Sequence, residues 1–119
     1  YPKELDPRIR VILDRMGVQG TIQLNVAVDA FADRDLAIAS ALPDMDSVMD
    51  DLQREFFRAI FETCPRDESG LRQAVEFALL GRFYERIADH AVQIGAWTRF
   101  MVTGEFPTST DEVASTPSP

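Results

Sequence analysis

The 119-residue chain has one cysteine, Cys64, one histidine, His90, and one tryptophan, Trp97. A lone cysteine excludes a disulfide within the chain and any Cys-x-x-Cys motif, and it favours a reducing compartment such as the cytoplasm. With the cysteine and the histidine in unrelated segments no nucleophile-and-base pairing can be argued, and no glycine-rich phosphate loop is present. No uncharged apolar run approaches the ~20 residues that span a bilayer, and no basic-then-apolar leader opens the sequence. The start at Tyr1, without an initiator Met, is what a fragment or a processed product would show. Positive charge is also scarce: 12 Lys and Arg stand against 20 Asp and Glu, a formal charge of -8. That balance argues against nucleic acid or an anionic membrane as the main partner and favours cations or basic protein patches.

What is present reads as one soluble globular domain, 45% hydrophobic and 27% charged, large enough for a single core. Three segments carry helical periodicity. The first opens at Asp6-Pro7, a capping side chain followed by proline where its missing N–H costs nothing. From there Ile9, Leu13, Met16, Gly20, Leu24, Ala27 and Phe31 recur at spacings of three and four, drawing one apolar stripe; Gly20 and Ala27 would let a neighbouring helix come close. "ADRDLA", residues 32–37, predicts a tight turn with Asp33 or Asp35 capping a second helix that runs to about Glu62. Its stripe is Met45, Val48, Leu52, Phe56, Ala59 and Ile60. Pro43 removes a backbone bond and is expected to kink or break the first turns. The helix should end before Cys64-Pro65.

"PRDESG", residues 65–70, is a polar turn, and a third helix is expected from about Ser69 to Thr103. Leu79, Leu80, Phe83, Ile87, Ala91, Ile94, Thr98 and Met101 form its predicted buried face, and Gly104 suits a left-handed C-terminal cap. Residues 106–119, rich in Pro, Ser and Thr, read as a flexible tail. Long helices joined by short turns predict an all-α, antiparallel up-down-up three-helix bundle over residues 1–105. The alternative is that the same helices pair with a second copy.

Acidic residues at i,i+4 spacing are the candidate chemistry. The chain has four such pairs, against about three expected by chance from its composition, so spacing alone decides nothing and helical phase must discriminate. Asp29 and Asp33 point away from the first stripe, and Asp51 and Glu55 away from the second; both pairs are expected to be solvated. Glu85 and Asp89 fall roughly opposite the predicted stripe of the third helix, where Arg82 and Arg86 can reach them at i,i+3 and make a plain charged outer face. Asp46 and Asp50 lie at the edge of the second helix's apolar face, with only Arg54 near Asp50. If the second and third helices bring Asp46, Asp50, Glu85 and Asp89 together, their oxygens would suit hard cations such as Mg, Mn or Fe, with charge enough for more than one ion. A Glu-x-x-His motif of the di-iron carboxylate type is missing, since Ala88 stands three residues after Glu85. His90 reads as a boundary residue. Trp97 and Phe100 read as packing or interface residues.

The run "LLGRFYERIADHAVQIGAWTRFMVTGE", residues 79–105, resembles the last helix of the PhoU phosphate-uptake regulators, with its arginine, two variable residues, Glu-Arg-Ile-Gly/Ala-Asp-His/Arg and a closing VTGE. "DMDSVMDDLQREFF", residues 44–57, is similar to the second helix of the same repeat, and "ILDRMG", residues 12–17, to the start of the first. The resemblance covers about residues 9–105. It implies one of two tandem three-helix bundles, the carboxy-terminal one. Acidic E/D-x-x-x-D motifs on the bundle surface would bind divalent or trivalent metal ions (Fe, Mn, Zn or Mg) as a multinuclear cluster, and these motifs map onto Asp46 with Asp50 and Glu85 with Asp89. It further implies a non-catalytic cytoplasmic adaptor, peripheral to the inner membrane through its partners. Such an adaptor negatively regulates phosphate uptake by contacting a sensor histidine kinase and the ATPase of the phosphate ABC transporter. Two departures stand out: a single repeat, for which a homodimer would rebuild the two-bundle surface, and Pro43 in a helix that is usually continuous.

Overall fold

A computed structural model of the chain describes residues 5–105. Its three helices, α1 (Pro7–Asp33), α2 (Leu36–Thr63) and α3 (Glu68–Thr103), pack each against the other two as an all-α, up-down-up bundle. The tail expected over residues 106–119 lies outside the described residues.

The helix ends follow local chemistry. Asp6 accepts a hydrogen bond from the Arg8 N–H and Pro7 opens α1; Asp35 accepts from the Ile38 N–H at the start of α2; Asp67 accepts from the Gly70 N–H at the start of α3. Each side chain satisfies a donor that the first turn leaves without a partner. Arg34, at φ 54°, closes α1 in the left-handed conformation, and Gly104, at φ 79°, closes α3. Gly70 lies against the Pro65 carbonyl, where an added Cβ would collide with backbone.

Pro43 does not break α2, which runs unbroken from Leu36 to Thr63. Pro43 supplies no N–H, so the Ala39 carbonyl loses its usual partner. That segment is held from outside instead: Asp35 caps it, and Ala39 and Leu42 pack against Gly95 of α3, where an added Cβ would meet Leu42 Cδ1 at 2.5 Å and the Ala39 oxygen at 3.1 Å.

The core divides along the bundle. Near the α2–α3 turn it is built of large side chains, Ile9, Ile12, Met16, Met49, Leu52, Phe56, Ile60 and Phe77, with the Phe56 and Phe77 rings edge-on at 6.3 Å. At the opposite end it narrows to Ala27, Leu42 and Ala91. Between the two lies a polar layer centred on Gln23, which is 0% exposed.

The stripes of α1 and α2 are close to the expected ones, with local exchanges. Ile12, Gln23 and Ala30 are buried where Leu13 and Leu24 are only half-buried and Phe31 is exposed; in α2 Met49 is buried and Val48 exposed. The face of α3 is a larger correction. Its buried residues are Gly70, Phe77, Gly81, Ala88, Ala91, Gly95 and Thr98, whereas Leu79 is 67% and Phe83 57% exposed. The seam selects small residues because neighbouring helices approach closely there: a Cβ on Gly81 would come within 2.9 Å of the Phe56 ring. Large apolar side chains are pushed outward by that closeness, and the helix is rotated relative to the stripe they draw.

Candidate metal centre

Two close approaches fix the antiparallel register of α2 and α3. Gly81 lies against Gln53 and Phe56, and Gly95 lies against Ala39 and Leu42. Between these points Asp46 and Asp50 project from α2, and Glu85 and Asp89 from α3. The rotation of α3 brings Glu85 to the seam, half-buried, rather than to the solvent side expected from its large apolar residues.

Electrostatics couple Asp46 to the other three carboxylates. The Asp46 carboxyl is raised above its ordinary value of 3.8, foremost because burial penalises its charge; a hydrogen bond from Gln23 pulls it down, and Asp50, Asp89 and Glu85 push it further up. Asp46 thus feels all three other carboxylates. Asp50 and Asp89 are exposed.

The expected ion pairs are redistributed. Arg82 does reach Glu85, at 3.1 Å. Arg54 pairs with Asp51, at 3.0 Å, and not with Asp50. Among the described residues Asp50 and Asp89 have no ion-pair partner, and Arg86 makes none with Asp89. Negative charge therefore collects along the seam with a single arginine against it.

Three glutamines border the site and were not singled out in the sequence. Gln23 Nε2 donates to Asp46 Oδ1 at 3.5 Å, and Gln19 Nε2 donates to Gln23 Oε1 at 3.0 Å and to the Met45 carbonyl at 3.1 Å. Gln53, one turn from Asp50 on α2, is buried with its Oε1 lacking a hydrogen-bond partner. A buried acceptor without a partner is uncommon and marks a place where a donor or a cation would be welcome. The available signal was Gln19 and Gln23 at i,i+4, the latter in phase with Met16, Gly20 and Ala27.

These features bear on whether the residues fit a metal ion. The donors are all oxygen and charge is in excess, which suits a hard cation in kind, while the orphaned Gln53 Oε1 lies against Gly81. As the side chains stand, no group of three or more His, Cys, Asp or Glu among the described residues is gathered closely enough to hold one. Arg82 occupies Glu85 and Gln23 occupies Asp46. His90 is exposed on α3, next to Asp89. Trp97 is 49% exposed on the outer side of α3. No helix among the described residues is long and apolar enough to cross a membrane.

The fold and the seam together define an all-helical bundle whose distinctive chemistry is a line of carboxylates shared by two helices. Residues 13–98 match the PhoU domain, and the chain belongs to the PhoU family. It is 45% identical over 116 residues to the phosphate-specific transport system accessory protein PhoU homolog 1 of Mycobacterium tuberculosis, covering 97% of this chain and 51% of that protein. It is 37% identical over 83 residues to PhoU homolog 2 of the same species, covering 70% and 38%. It is 30% identical over 86 residues to PhoU homolog 1 of Methanothermobacter thermautotrophicus, covering 72% and 39%. The chain spans about half the length, or less, of these curated relatives.

Proposed function

We propose that the chain is a PhoU-type regulatory adaptor domain that restrains phosphate uptake without catalysing a reaction, with Asp46, Asp50, Glu85 and Asp89 as its cation seat. The metal reading is supported by Asp46, half-buried on α2, whose carboxyl is pushed up by burial and by the charges of Asp50, Asp89 and Glu85. The regulatory reading is supported by membership of a family whose relatives are named as accessory proteins of phosphate-specific transport. Its proposed partners are a sensor histidine kinase and the phosphate ABC transporter ATPase, met at the cytoplasmic side of the inner membrane, with a second copy completing a two-bundle surface. The outer side of α3, with Leu79, Phe83 and Trp97 exposed, supplies apolar area of the kind docking surfaces use. The cations are of the Mg, Mn, Fe or Zn class, and the acidic seam has charge enough for more than one.

The regulatory reading is tested by expressing the chain in a bacterium deleted for its own PhoU-type protein and measuring phosphate uptake in phosphate-rich medium. Restored restraint is the expected outcome; uptake as unrestrained as in the empty host would contradict it. Thermal shifts with Mn, Fe, Zn and Mg test the seat separately: the parent should rise in Tm with at least one ion and an Asp50→Asn, Glu85→Gln variant should not. A second reading is favoured by the Arg82–Glu85 pair and the ungrouped carboxylates: the acidic face binds a basic partner with no metal. It predicts binding that salt weakens and chelators leave unchanged.

A further inference from the structure

Leu79, Phe83, Arg86, His90, Gln93 and Trp97 of α3 are all exposed and follow one another at steps of four, three, four, three and four. A repeat of that period keeps one line of side chains facing a second helix along its whole length, and this line runs about 27 Å at the ordinary helical rise. The rest of the bundle packs on the opposite side, where Gly81, Ala88, Ala91 and Gly95 are buried. The line has three zones: Leu79 and Phe83 are apolar, Arg86, His90 and Gln93 are polar, and Trp97 is aromatic again. Arg82 is exposed at the α2 edge of the middle zone and pairs with Glu85 at 3.1 Å. Arg86 has no ion-pair partner among the described residues. Glu85 and Asp89 are the acidic residues between Leu79 and Met101, and both belong to the α2 side, where their charges act on Asp46. A chain of net charge -8 thus presents here a line with unanswered positive charge and no acid on it.

We infer that this line is the docking face for one helix of a partner protein: an amphipathic helix of about 20 residues, apolar toward both ends and acidic in the middle. The inference rests on the adaptor reading of the outer side of α3 and names what that side recognises. The apolar ends of the partner bury Leu79, Phe83 and Trp97, and aromatic side chains of this kind are enriched at the centres of interfaces. Carboxylates in its middle meet Arg86 and fix the register, as polar groups at seam positions do. Charge also chooses the occupant. A second copy paired through the same face would set its own Arg86 into the middle zone beside this one, and like charges across a contact are unfavourable. An anionic membrane surface would have to take up a molecule of net charge -8.

Trp97, the single tryptophan of the chain, lies on the line and reports its occupancy. The test is tryptophan fluorescence of the full chain titrated with three synthetic helical peptides of about 20 residues: one with leucines at both ends of its apolar stripe and glutamates between, one with lysines in place of the glutamates, and one scrambled. A saturable blue shift with the glutamate peptide, and none with the other two at the same concentrations, is the expected result. Phe83→Ala should weaken that binding on the order of tenfold, and Arg86→Glu should reverse the preference, taking the lysine peptide over the glutamate one. Both positions are exposed, so circular dichroism should show the parent's helix content in each variant. Equal shifts with the glutamate and lysine peptides, or a parent-like preference in Arg86→Glu, would overturn the inference. So would the lack of any shift with the glutamate peptide; a dimer that Phe83→Ala dissociates in sedimentation, or a shift with phosphatidylglycerol vesicles, would then identify a second copy or a membrane as the occupant. Selective peptide binding alongside unrestrained phosphate uptake in the complementation test would sink the adaptor reading and leave this inference standing, whereas restrained uptake without selective binding would do the reverse.

Discussion

The two ends of the bundle hold together by different means. Near the α2–α3 turn, volume does it: Phe56 is 0% exposed and Ile9, Met16 and Phe77 close around it. At the other end Ala27, Leu42 and Ala91 form a small core, and cohesion comes from backbones drawn together at Gly95. The acidic seam lies at the junction, where the large-residue core gives way to the small-residue one and Gln23 interrupts the apolar stripe. The acidic side chains there are half-buried or exposed, so removing their charge should disturb neither core.

The largest effect is expected at the large-residue end. Phe56→Ala should lose about 3–5 kcal/mol, read as a fall in the urea midpoint; a loss below about 1 kcal/mol would mean that volume does not govern that end. At the small-residue end Gly95→Ala should cost about 1–3 kcal/mol by overpacking against Leu42 and the Ala39 carbonyl. The matched control is Gly20→Ala, whose added methyl would sit at ordinary contact distances of 3.5 Å from Ile87 and 3.7 Å from Met49. It should be neutral or stabilise by up to about 1 kcal/mol through better helix propensity. Equal effects of the two glycine substitutions would refute a tight seam at Gly95 only.

The junction gives the smallest effect, and its sign is fixed. Burial, opposed by Gln23 and aided by Asp50, Asp89 and Glu85, holds the Asp46 carboxyl above 3.8 in the folded chain. The folded state then binds this proton more tightly than the unfolded chain does. The resulting stability is fully present below 3.8 and is lost as pH rises through the folded-state value. Asp46→Asn removes that dependence, so the variant should be more stable than the parent near neutrality and lose the advantage in acid. Because Asp46 is only half-buried and solvent screens its charge, the gain should stay under about 1 kcal/mol. Thermal melts across pH 3 to 7 would show it, and a variant less stable than the parent at neutral pH would reverse the assignment.

Much of this was legible in the sequence, for identifiable reasons. Asp6-Pro7 and Gly104 carry their capping roles in local chemistry, and the second cap was narrowed to Asp33 or Asp35, of which the structure uses Asp35. The face of α3 could not be read in this way. Leu79 and Phe83 are large and correctly spaced, but the seam is chosen by how near α1 and α2 approach, and that distance favours Gly81, Ala88, Ala91 and Gly95. Pro43 misled for a related reason: the lost backbone bond is local, whereas Ala39 and Leu42 are anchored by α3. The proposal that Asp46 and Asp50 meet Glu85 and Asp89 came from the second helix's phase and from family resemblance. The partner of Arg54 was not anticipated, because Asp50 and Asp51 are both within its reach and only the packed geometry separates them. Gln23 went unnoticed because a glutamine in an apolar stripe reads as an interruption until its partners on α2 are known.

The proposal of a shared cation seat is tested most directly by a double-mutant cycle across the seam. Mn(II) affinity is measured by calorimetry for the parent, Asp50→Asn, Glu85→Gln and the double variant. If the two helices hold the same ion or cluster, each substitution weakens binding and the double loss departs from the sum of the single losses by at least about 0.5 kcal/mol. Losses that simply add, or affinities that none of the substitutions moves, would show that the carboxylates of α2 and α3 do not act on a common cation.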